Sequence, residues 1–274
     1  MSRGEANVHG EANVHQGATP AAEQQRHRAA APLWRMLVAQ TAMELRLMLR
    51  RGESVLITLV VPALLLVFFA TVAVLPAPVG GASPVDALMP GVLALAVMST
   101  AMVGLGIATA FERQYGVLKR LGGSPLPRPL LLAAKITSVM AIEVIQVVLL
   151  GAIGLALGWH PAGNPGLAVV AWLLGSAAFG GLGLWMAGSW RAEAALAGAN
   201  GVYLVLLLLG GIFVPVSRLP GALAAVAGAL PSAALADVLR AVLLPGTGLG
   251  LAPAVLIAWA VAAPALAALT FRWE

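Results

Sequence analysis

The chain has 274 residues, of which 60% are apolar and only 10% are charged, with a mean hydropathy of +0.93. Because a soluble domain usually carries about 25% charged residues, this composition excludes an ordinary soluble protein and predicts an integral membrane protein. The net charge of +5 does not indicate a nucleic-acid partner, since basic residues collected on one side of a membrane explain it.

The first 31 residues are polar, and the sequence GEANVH occurs twice in succession, at 4–9 and at 10–15. This segment has too few apolar side chains to offset the entropy that is lost when a chain becomes ordered. We therefore expect residues 1–31 to form a disordered tail and residues 32–274 to form the membrane domain.

Residues 32–52 predict a basic amphipathic helix. At about 100° per residue, an apolar face separates from an arginine face. The apolar face holds Trp34, Val38, Thr41, Leu45 and Met48, and the other face holds Arg35, Arg46 and Arg50. A helix with this many arginines is too charged to cross a membrane, so we expect it to lie at the membrane surface.

Six apolar stretches follow, and each reaches the length of about 20 residues that crosses the hydrocarbon of a bilayer. They are residues 54–76, 88–110, 131–157, 167–189, 195–215 and 250–270. The sequence therefore predicts an all-α integral membrane protein with six transmembrane helices. Many glycines in the fourth and fifth stretches predict close packing between helices.

Residues 217–247 are apolar but are interrupted by Pro220, Pro231 and Pro245. Because proline breaks helices, we expect two short helices that enter the outer face of the membrane without crossing it. The alternative for this stretch is a seventh span.

Lysine and arginine are distributed unequally between the connections. Thirteen of them lie before the first span, in the second-to-third and fourth-to-fifth connections and after the last span, whereas Arg218 and Arg240 alone lie on the opposite side. Cytoplasmic segments carry the excess of basic residues, so both termini are expected in the cytoplasm. Lys135 lies at the membrane edge, where we expect its ammonium to extend to the cytoplasmic headgroups.

The second-to-third connection contains the sequence FERQYGVLKRLGGSPLPRP, residues 111–129. This pattern predicts a helix of about three turns from Glu112 to Leu121, ended by a glycine pair and followed by prolines. Tyr115, Leu118 and Leu121 are spaced by three and are expected on one face of that helix. Such a helix favours a docking surface for a cytoplasmic partner, and the alternative is an ordinary positively charged loop.

Two stretches resemble one family of membrane proteins. The run ERQYGVLKRLGGSPLPRPLLLAAK, residues 112–135, is similar to the signature of type-2 ATP-binding cassette (ABC) export permeases. The run GGIFVPVSRLPGALAAVAGALPSAALADVLRAVL, residues 210–243, is similar to the outer segment of the same family. The resemblance covers about residues 32–274, is closest to the drug and antibiotic exporters, and departs from the usual pattern at Gln114 and Ala234.

The resemblance implies a multi-pass permease in the plasma membrane of a bacterium, paired with a second copy or a related permease and with a separate ATPase dimer. ATP and Mg²⁺ would be held by that ATPase, because this sequence lacks a G-x-x-x-x-G-K-[ST] phosphate loop. The chain by itself is therefore expected to bind no cofactor and to be no enzyme.

In the family, the segment that matches 112–125 is the coupling helix, which sits in a groove of the ATPase. The residues at these positions are Glu112, Arg113, Tyr115, Gly116, Leu118, Lys119, Arg120, Leu121 and Pro125. Gly116 is expected to allow close approach of the ATPase backbone.

Four polar side chains inside the predicted spans are candidates for the substrate pathway: Glu143, Gln146, Asn200 and Tyr203. For Asn200 and Tyr203 the alternative is hydrogen bonding within the core. A charge at bilayer depth costs about 3 kcal/mol on insertion scales, so such residues usually face the interior of a bundle. Glu143 is expected to contact a cationic substrate or to act as a coupling carboxylate. The alternative is a hydrogen-bonded glutamate with a structural role.

The sequence thus predicts the permease of an ATP-driven exporter of hydrophobic or amphiphilic, drug-like or antibiotic-like substrates. Export of a lipid or a glycan is the alternative substrate class. A membrane scaffold and an intramembrane enzyme are the other functions considered, and the enzyme would need grouped reactive side chains at depth, where Glu143 stands alone. No metal is expected, because the chain has no cysteine and its tail histidines, His9 and His15, are loosely spaced.

Overall fold

The computed structural model describes residues 32–50, 52–72, 83–122, 127–213, 216–244, 246 and 248–272, without the side chains at 53–55, 57, 120–122, 128 and 217. The tail predicted at 1–31 lies outside the described residues.

Helices joined by turns make up the described residues, with no β-strand among them. In chain order the helices are α1 Leu33–Arg50, α2 Gly52–Thr71, α3 Pro84–Val97, α4 Leu105–Gln114, α5 Val117–Gly122, α6 Arg128–Ala156, α7 Pro165–Ser189, α8 Ala192–Leu209, α9 Gly221–Gly228, α10 Pro231–Leu243 and α11 Ala252–Thr270. A π-helical segment, Met98–Gly104, joins α3 directly to α4, and a short 3₁₀ turn, Val216–Arg218, precedes α9. The all-α prediction is confirmed for this part of the chain.

Five helical segments of the described residues are long and apolar enough to cross a membrane. They are Pro84–Gln114, Pro129–Ala156, Pro165–Ser189, Ala192–Leu209 and Ala252–Thr270, and they coincide with the last five predicted spans. The first predicted span falls on α2, whose described apolar stretch, Thr58–Thr71, is shorter. Helices α9 and α10 reach the required length only as a pair and are bent by 86° at the break between them. The count of six spans stays a prediction.

The predicted interfacial helix is present as α1, which packs along α6. Leu45 and Met48 turn toward the bundle, whereas Trp34 and Val38 of the predicted apolar face are exposed. Some apolar residues of α1 therefore pack against the protein, and others are exposed on its surface.

Helix α10 runs across one end of the bundle, which we call the outer end. At its start, Ser232 lies against Gly210 at the end of α8, where a Cβ atom on the glycine would come within 2.2 Å of the serine hydroxyl. Near the end of α10, the carbonyl of Val242 accepts a hydrogen bond of 3.2 Å from the backbone N–H of Asn164, which caps α7. Arg240 bonds both Asp237 and the carbonyl of Gly211. Helix α10 thus connects the end of α8 to the start of α7.

Helix α7 packs closely against neighbouring elements through its glycines, as the sequence predicts. A Cβ atom on Gly181 would lie 2.4 Å from the backbone nitrogen of Pro264 in α11. A Cβ atom on Gly183 would lie 2.6 Å from the carbonyl oxygen of Met102 in the π-helical segment. Any larger residue would separate these backbones, so the glycines set the distance of α7 from two neighbouring elements.

Candidate functional site

The segment expected to form one coupling helix is broken in the structure. Helix α4 ends at Gln114, a turn follows, and α5 begins at Val117. Gly116 occupies the turn with φ +71°, and its N–H donates to the carbonyl of Arg113 at 3.0 Å. Within this chain a Cβ atom on Gly116 would meet nothing within 4 Å, so the left-handed backbone is what requires glycine here.

The turn at Gly116 decides which side chains of the segment face outward. Tyr115 is 71% exposed and Lys119 is exposed. Leu118 is completely buried in the hydrophobic core of the bundle, the main core, which also contains Leu131. This corrects the expectation that Tyr115 and Leu118 share a face, which assumed a continuous helix. Gly116 changes the direction of the chain, and Leu118 therefore points into the permease.

The structure describes only part of the predicted coupling segment. The side chains of Arg120 and Leu121 are not among the described ones, and Pro125 is not among the described residues. Between the end of α4 and Lys119, the exposed side chains are those of Tyr115, Val117 and Lys119, and we call these three the coupling tip.

Three consecutive residues at the end of α4 reach three different parts of the bundle. The carboxylate of Glu112 accepts a hydrogen bond of 2.6 Å from Lys135 in α6. The guanidinium of Arg113 donates to the backbone carbonyls of Gly188 and Trp190 at the end of α7. The amide of Gln114 donates to Glu193 at the start of α8, at 2.8 Å.

The Arg113 contact is a helix cap. The last carbonyls of a helix lack partners within the helix, and a cation there also complements the negative end of the helix dipole. Arg113 satisfies two carbonyls at the C-terminal end of α7, and the backbone N–H of Arg272 reaches the same Gly188 carbonyl at 3.2 Å. The base of the coupling tip is therefore attached to the end of α7 and lies beside the chain that follows α11.

A buried ion cluster lies on the other side of the same base. The ammonium of Lys135 is 3.0 Å from an oxygen of Glu44 in α1 and 2.6 Å from an oxygen of Glu112. Gln40 donates to the second oxygen of Glu44 at 3.0 Å. Lys135 is only 1% exposed, so the expectation that it extends to the lipid headgroups is wrong. Two carboxylates inside the protein hold the ammonium that a lone lysine would have directed to the membrane surface.

Sequence reasoning did not identify Glu44. It is 5% exposed and joins α1 to α6 and α4 through Lys135. A usable signal was present, because Glu44 is the one acidic residue within α1 and it falls between Thr41 and Leu45 on the inward face.

Glu143 is fully buried between α6 and α7. One carboxylate oxygen accepts a hydrogen bond of 2.8 Å from the indole N–H of Trp172 and another from the hydroxyl of Ser176. The other oxygen has no hydrogen-bond partner among the described residues. Glu143 therefore joins two spans and keeps one acceptor unused.

Gln146 lies one turn after Glu143 and connects α6 to two other elements. Its carbonyl oxygen accepts from the hydroxyl of Thr100 in the π-helical segment, at 3.0 Å. Its N–H₂ donates to the backbone carbonyl of Thr58 in α2, at 2.8 Å. In a regular helix that carbonyl would accept from residue 62, but Pro62 has no N–H to donate.

The other two pathway candidates lie on α8. Asn200 is exposed, and its amide donates to the carbonyl of Leu196 in its own helix. Tyr203 is half-buried and packs against the main core. No hydrogen bond among the described side chains joins either residue to Glu143 or Gln146, so the four candidates form no single cluster.

Comparison with protein families identifies the architecture. The model of the ABC-2 type transporter family matches residues 36–244. This range includes most of α1, the coupling tip, the buried Lys135 cluster, Glu143 and α10. The chain belongs to this family. A search of curated proteins found no match to it. The described residues of this ABC-2 permease contain no group of three His, Asp or Glu side chains that could hold a metal ion.

Membership gives the general role of the molecule. The ABC-2 domain is the multi-pass membrane subunit of an ABC transporter, and this class of subunit works with an ATP-binding partner. The segment of this ABC-2 permease from Glu112 to Lys119 lies within the matched range, as does Glu143.

Proposed function

We propose that this ABC-2 permease exports a hydrophobic or amphiphilic, drug-like or antibiotic-like substrate from a bacterial cell by alternating access. A dimeric ATPase that binds ATP and Mg²⁺ docks on the coupling tip, and a second copy or a related permease completes the transport unit. Both termini face the cytoplasm, in agreement with the excess of basic residues on that side.

The arrangement at the end of α4 is the observation that carries this proposal. The tip itself offers an exposed aromatic ring, Tyr115, and an exposed cation, Lys119. Directly behind it, Glu112, Arg113 and Gln114 attach to α6, α7 and α8. A force applied to Tyr115 by a partner therefore acts on three helices at once, as a coupling element requires.

The chemistry of the tip fits a protein partner. Aromatic anchors carry much of the binding energy of protein interfaces, while charges at the rim tune encounter and orientation. Tyr115 supplies the anchor and Lys119 a rim charge. Leu118 is left out of this surface, because it is completely buried in the permease.

The substrate class is inferred separately from the coupling role. The resemblance to drug and antibiotic exporters and the buried carboxylate of Glu143 favour amphiphilic compounds that carry a positive charge. Lipid or glycan export is the alternative, and substrate competition for transport in vesicles separates these classes.

The docking role is tested with substitutions on the tip. Tyr115→Asp combined with Val117→Asp places two charges on exposed positions, so insertion and abundance of the permease should stay near normal. Co-purification of the ATPase and export should both fall by at least tenfold. The matched control is Leu208→Ala, an exposed position on α8 far along the chain from the tip, which should leave both measurements unchanged.

A crosslinking measurement keeps this test independent of activity. The chain has no native cysteine, so a single cysteine at Gln114 gives a defined attachment point. A crosslink from this position to the ATPase is expected in the complex. Normal export and ATPase retention by the double aspartate variant would show that the tip is only a charged loop.

A further inference from the structure

Helix α1 has an unusual distribution of side chains between its two faces. Its inward face is mixed, since the buried carboxylate of Glu44 accepts a hydrogen bond from Lys135 while Leu45 turns toward the bundle beside it. Its outward face carries large apolar side chains, and Trp34 and Met43 are at least half exposed. A surface helix of a soluble protein would expose few such apolar side chains, so the outward face of α1 suits contact with lipid.

Two arginines stand on this outward face one helical turn apart. Arg46 and Arg50 line a surface groove together with Met43, Leu47 and Leu49. Within the described part of the chain, no acidic side chain forms an ion pair with either guanidinium. The groove therefore presents two cations above an apolar floor.

We propose that the groove of Arg46 and Arg50 is a binding site for the headgroup of an anionic phospholipid. Guanidinium groups bind phosphate oxygens with paired hydrogen bonds, and the lipid's acyl chains would cover Leu47 and Leu49. A free phosphate ion would use the two cations and leave the apolar floor exposed. The lipid therefore fits both parts of the groove, whereas the ion fits one.

The location of α1 supports a lipid ligand. Through Glu44 and Lys135, α1 is held at the same end of the bundle as the coupling tip. The leaflet at that end is the one whose anionic lipids attract basic helices beside a span. This site goes beyond the proposed export function, since it needs neither the ATPase nor a transported substrate.

Native mass spectrometry of the purified full chain tests the site directly. The probes are phosphatidylglycerol and phosphatidylcholine with identical acyl chains, added to the protein in detergent. Wild type should retain phosphatidylglycerol in preference to phosphatidylcholine. Arg46→Gln and Arg50→Gln should each lower phosphatidylglycerol binding about fivefold, the usual effect of one basic residue at an anionic surface.

The matched control removes the same charge from the same helix. Arg35→Gln should leave phosphatidylglycerol binding unchanged, because Arg35 lies outside the groove, with its guanidinium 5.2 Å from the ring of Trp34. Arg46→Lys keeps the charge and should retain most of the binding. Equal melting temperatures of all variants in detergent would exclude unfolding as the cause of a loss.

Several results would overturn the proposal. Equal retention of the two lipids by wild type would remove the headgroup preference. Equal losses in Arg35→Gln and Arg46→Gln would indicate diffuse attraction instead of a site. Displacement of the lipid by inorganic phosphate at millimolar concentration would show that the groove is an anion site. Loss of ATPase association in Arg46→Gln, without loss of lipid binding, would show that the groove is a protein contact.

Discussion

The side chain of Gln146 replaces a backbone hydrogen bond that a proline removes from α2. Pro62 removes the donor that would bond the carbonyl of Thr58, and the amide of Gln146 reaches this carbonyl at 2.8 Å. Backbone acceptors in hydrocarbon need such partners, because no water is available there. We expect Gln146→Leu to lower the free energy of unfolding in detergent by about 1 kcal/mol.

A double-mutant cycle isolates this contact. Pro62→Ala restores a backbone N–H that can bond Thr58, so Gln146→Leu should cost less in that background than in wild type. Gln146→Leu also removes the hydrogen bond from Thr100, but this cost is the same in both backgrounds and cancels in the difference. The same cost in both backgrounds would mean that Gln146 acts through Thr100 alone.

A substitution at Glu143 tests the proposed substrate class. Its unused oxygen and its burial between two spans make it the strongest candidate for attraction of a cation. Glu143→Gln keeps acceptors for Trp172 and Ser176 but removes the charge, and in a medium of low dielectric that charge acts strongly on a cationic compound. The variant should stay folded and lose transport of cationic compounds more than of neutral ones.

Transport assays with a cationic and a neutral compound of similar size measure this difference. Abundance of the variant in the membrane serves as the folding control. Unchanged ratios of the two transport rates between wild type and Glu143→Gln would assign this carboxylate a structural role between α6 and α7.

At the scale of elements, the cluster of Glu44, Lys135 and Glu112 holds α1, α6 and α4 together. Removing one partner of a buried ion pair leaves a charge without compensation and costs about 3–5 kcal/mol. Lys135→Met leaves two carboxylates facing each other, so it should strongly lower the melting temperature and the amount of folded permease. The expected loss is larger than that for Gln146→Leu, which leaves no charge behind.

A neutral version of the cluster separates packing from charge. The triple variant Glu44→Gln, Lys135→Met and Glu112→Gln buries no charge and should recover much of the stability that Lys135→Met alone loses. Fluorescence-detected thermal unfolding in detergent measures both variants. If the triple variant is no more stable than Lys135→Met, uncompensated charge is not the cause of the loss.

Elements with a strong periodic signal could be predicted from the sequence, and those set by long-range contacts could not. Helix α1 and the last five predicted spans coincide with helices, because each is a long run of suitable composition. The burial of Leu118 depends on one positive φ at Gly116, which the spacing of apolar residues does not reveal. The place of Lys135 depends on Glu44, a residue distant in sequence, and one-dimensional patterns contain no such pairing.

For the whole molecule, the course of α9 and α10 determines the topology. Both ends of α10 lie at the outer end, because Ser232 is close to Gly210 and the carbonyl of Val242 bonds Asn164. The chain after α11 returns to the opposite end, where the N–H of Arg272 bonds Gly188. These contacts favour a bent pair in which α10 starts and ends at the same end of the bundle.

Labelling of single cysteines in intact cells tests this topology, since the chain has no native cysteine to react. Ala162 lies before α7 and Leu249 lies after the bent pair, and both positions are exposed. A membrane-impermeant maleimide should label both from outside, whereas a cysteine at Lys119 should react only after the cells are opened. Six spans with both termini in the cytoplasm place residues 162 and 249 outside the cell. Residue 249 is outside in this arrangement because α9 and α10 do not cross the membrane. Protection of Leu249→Cys together with labelling of Ala162→Cys would mean that α9 and α10 cross the membrane, and the C-terminus would then lie outside.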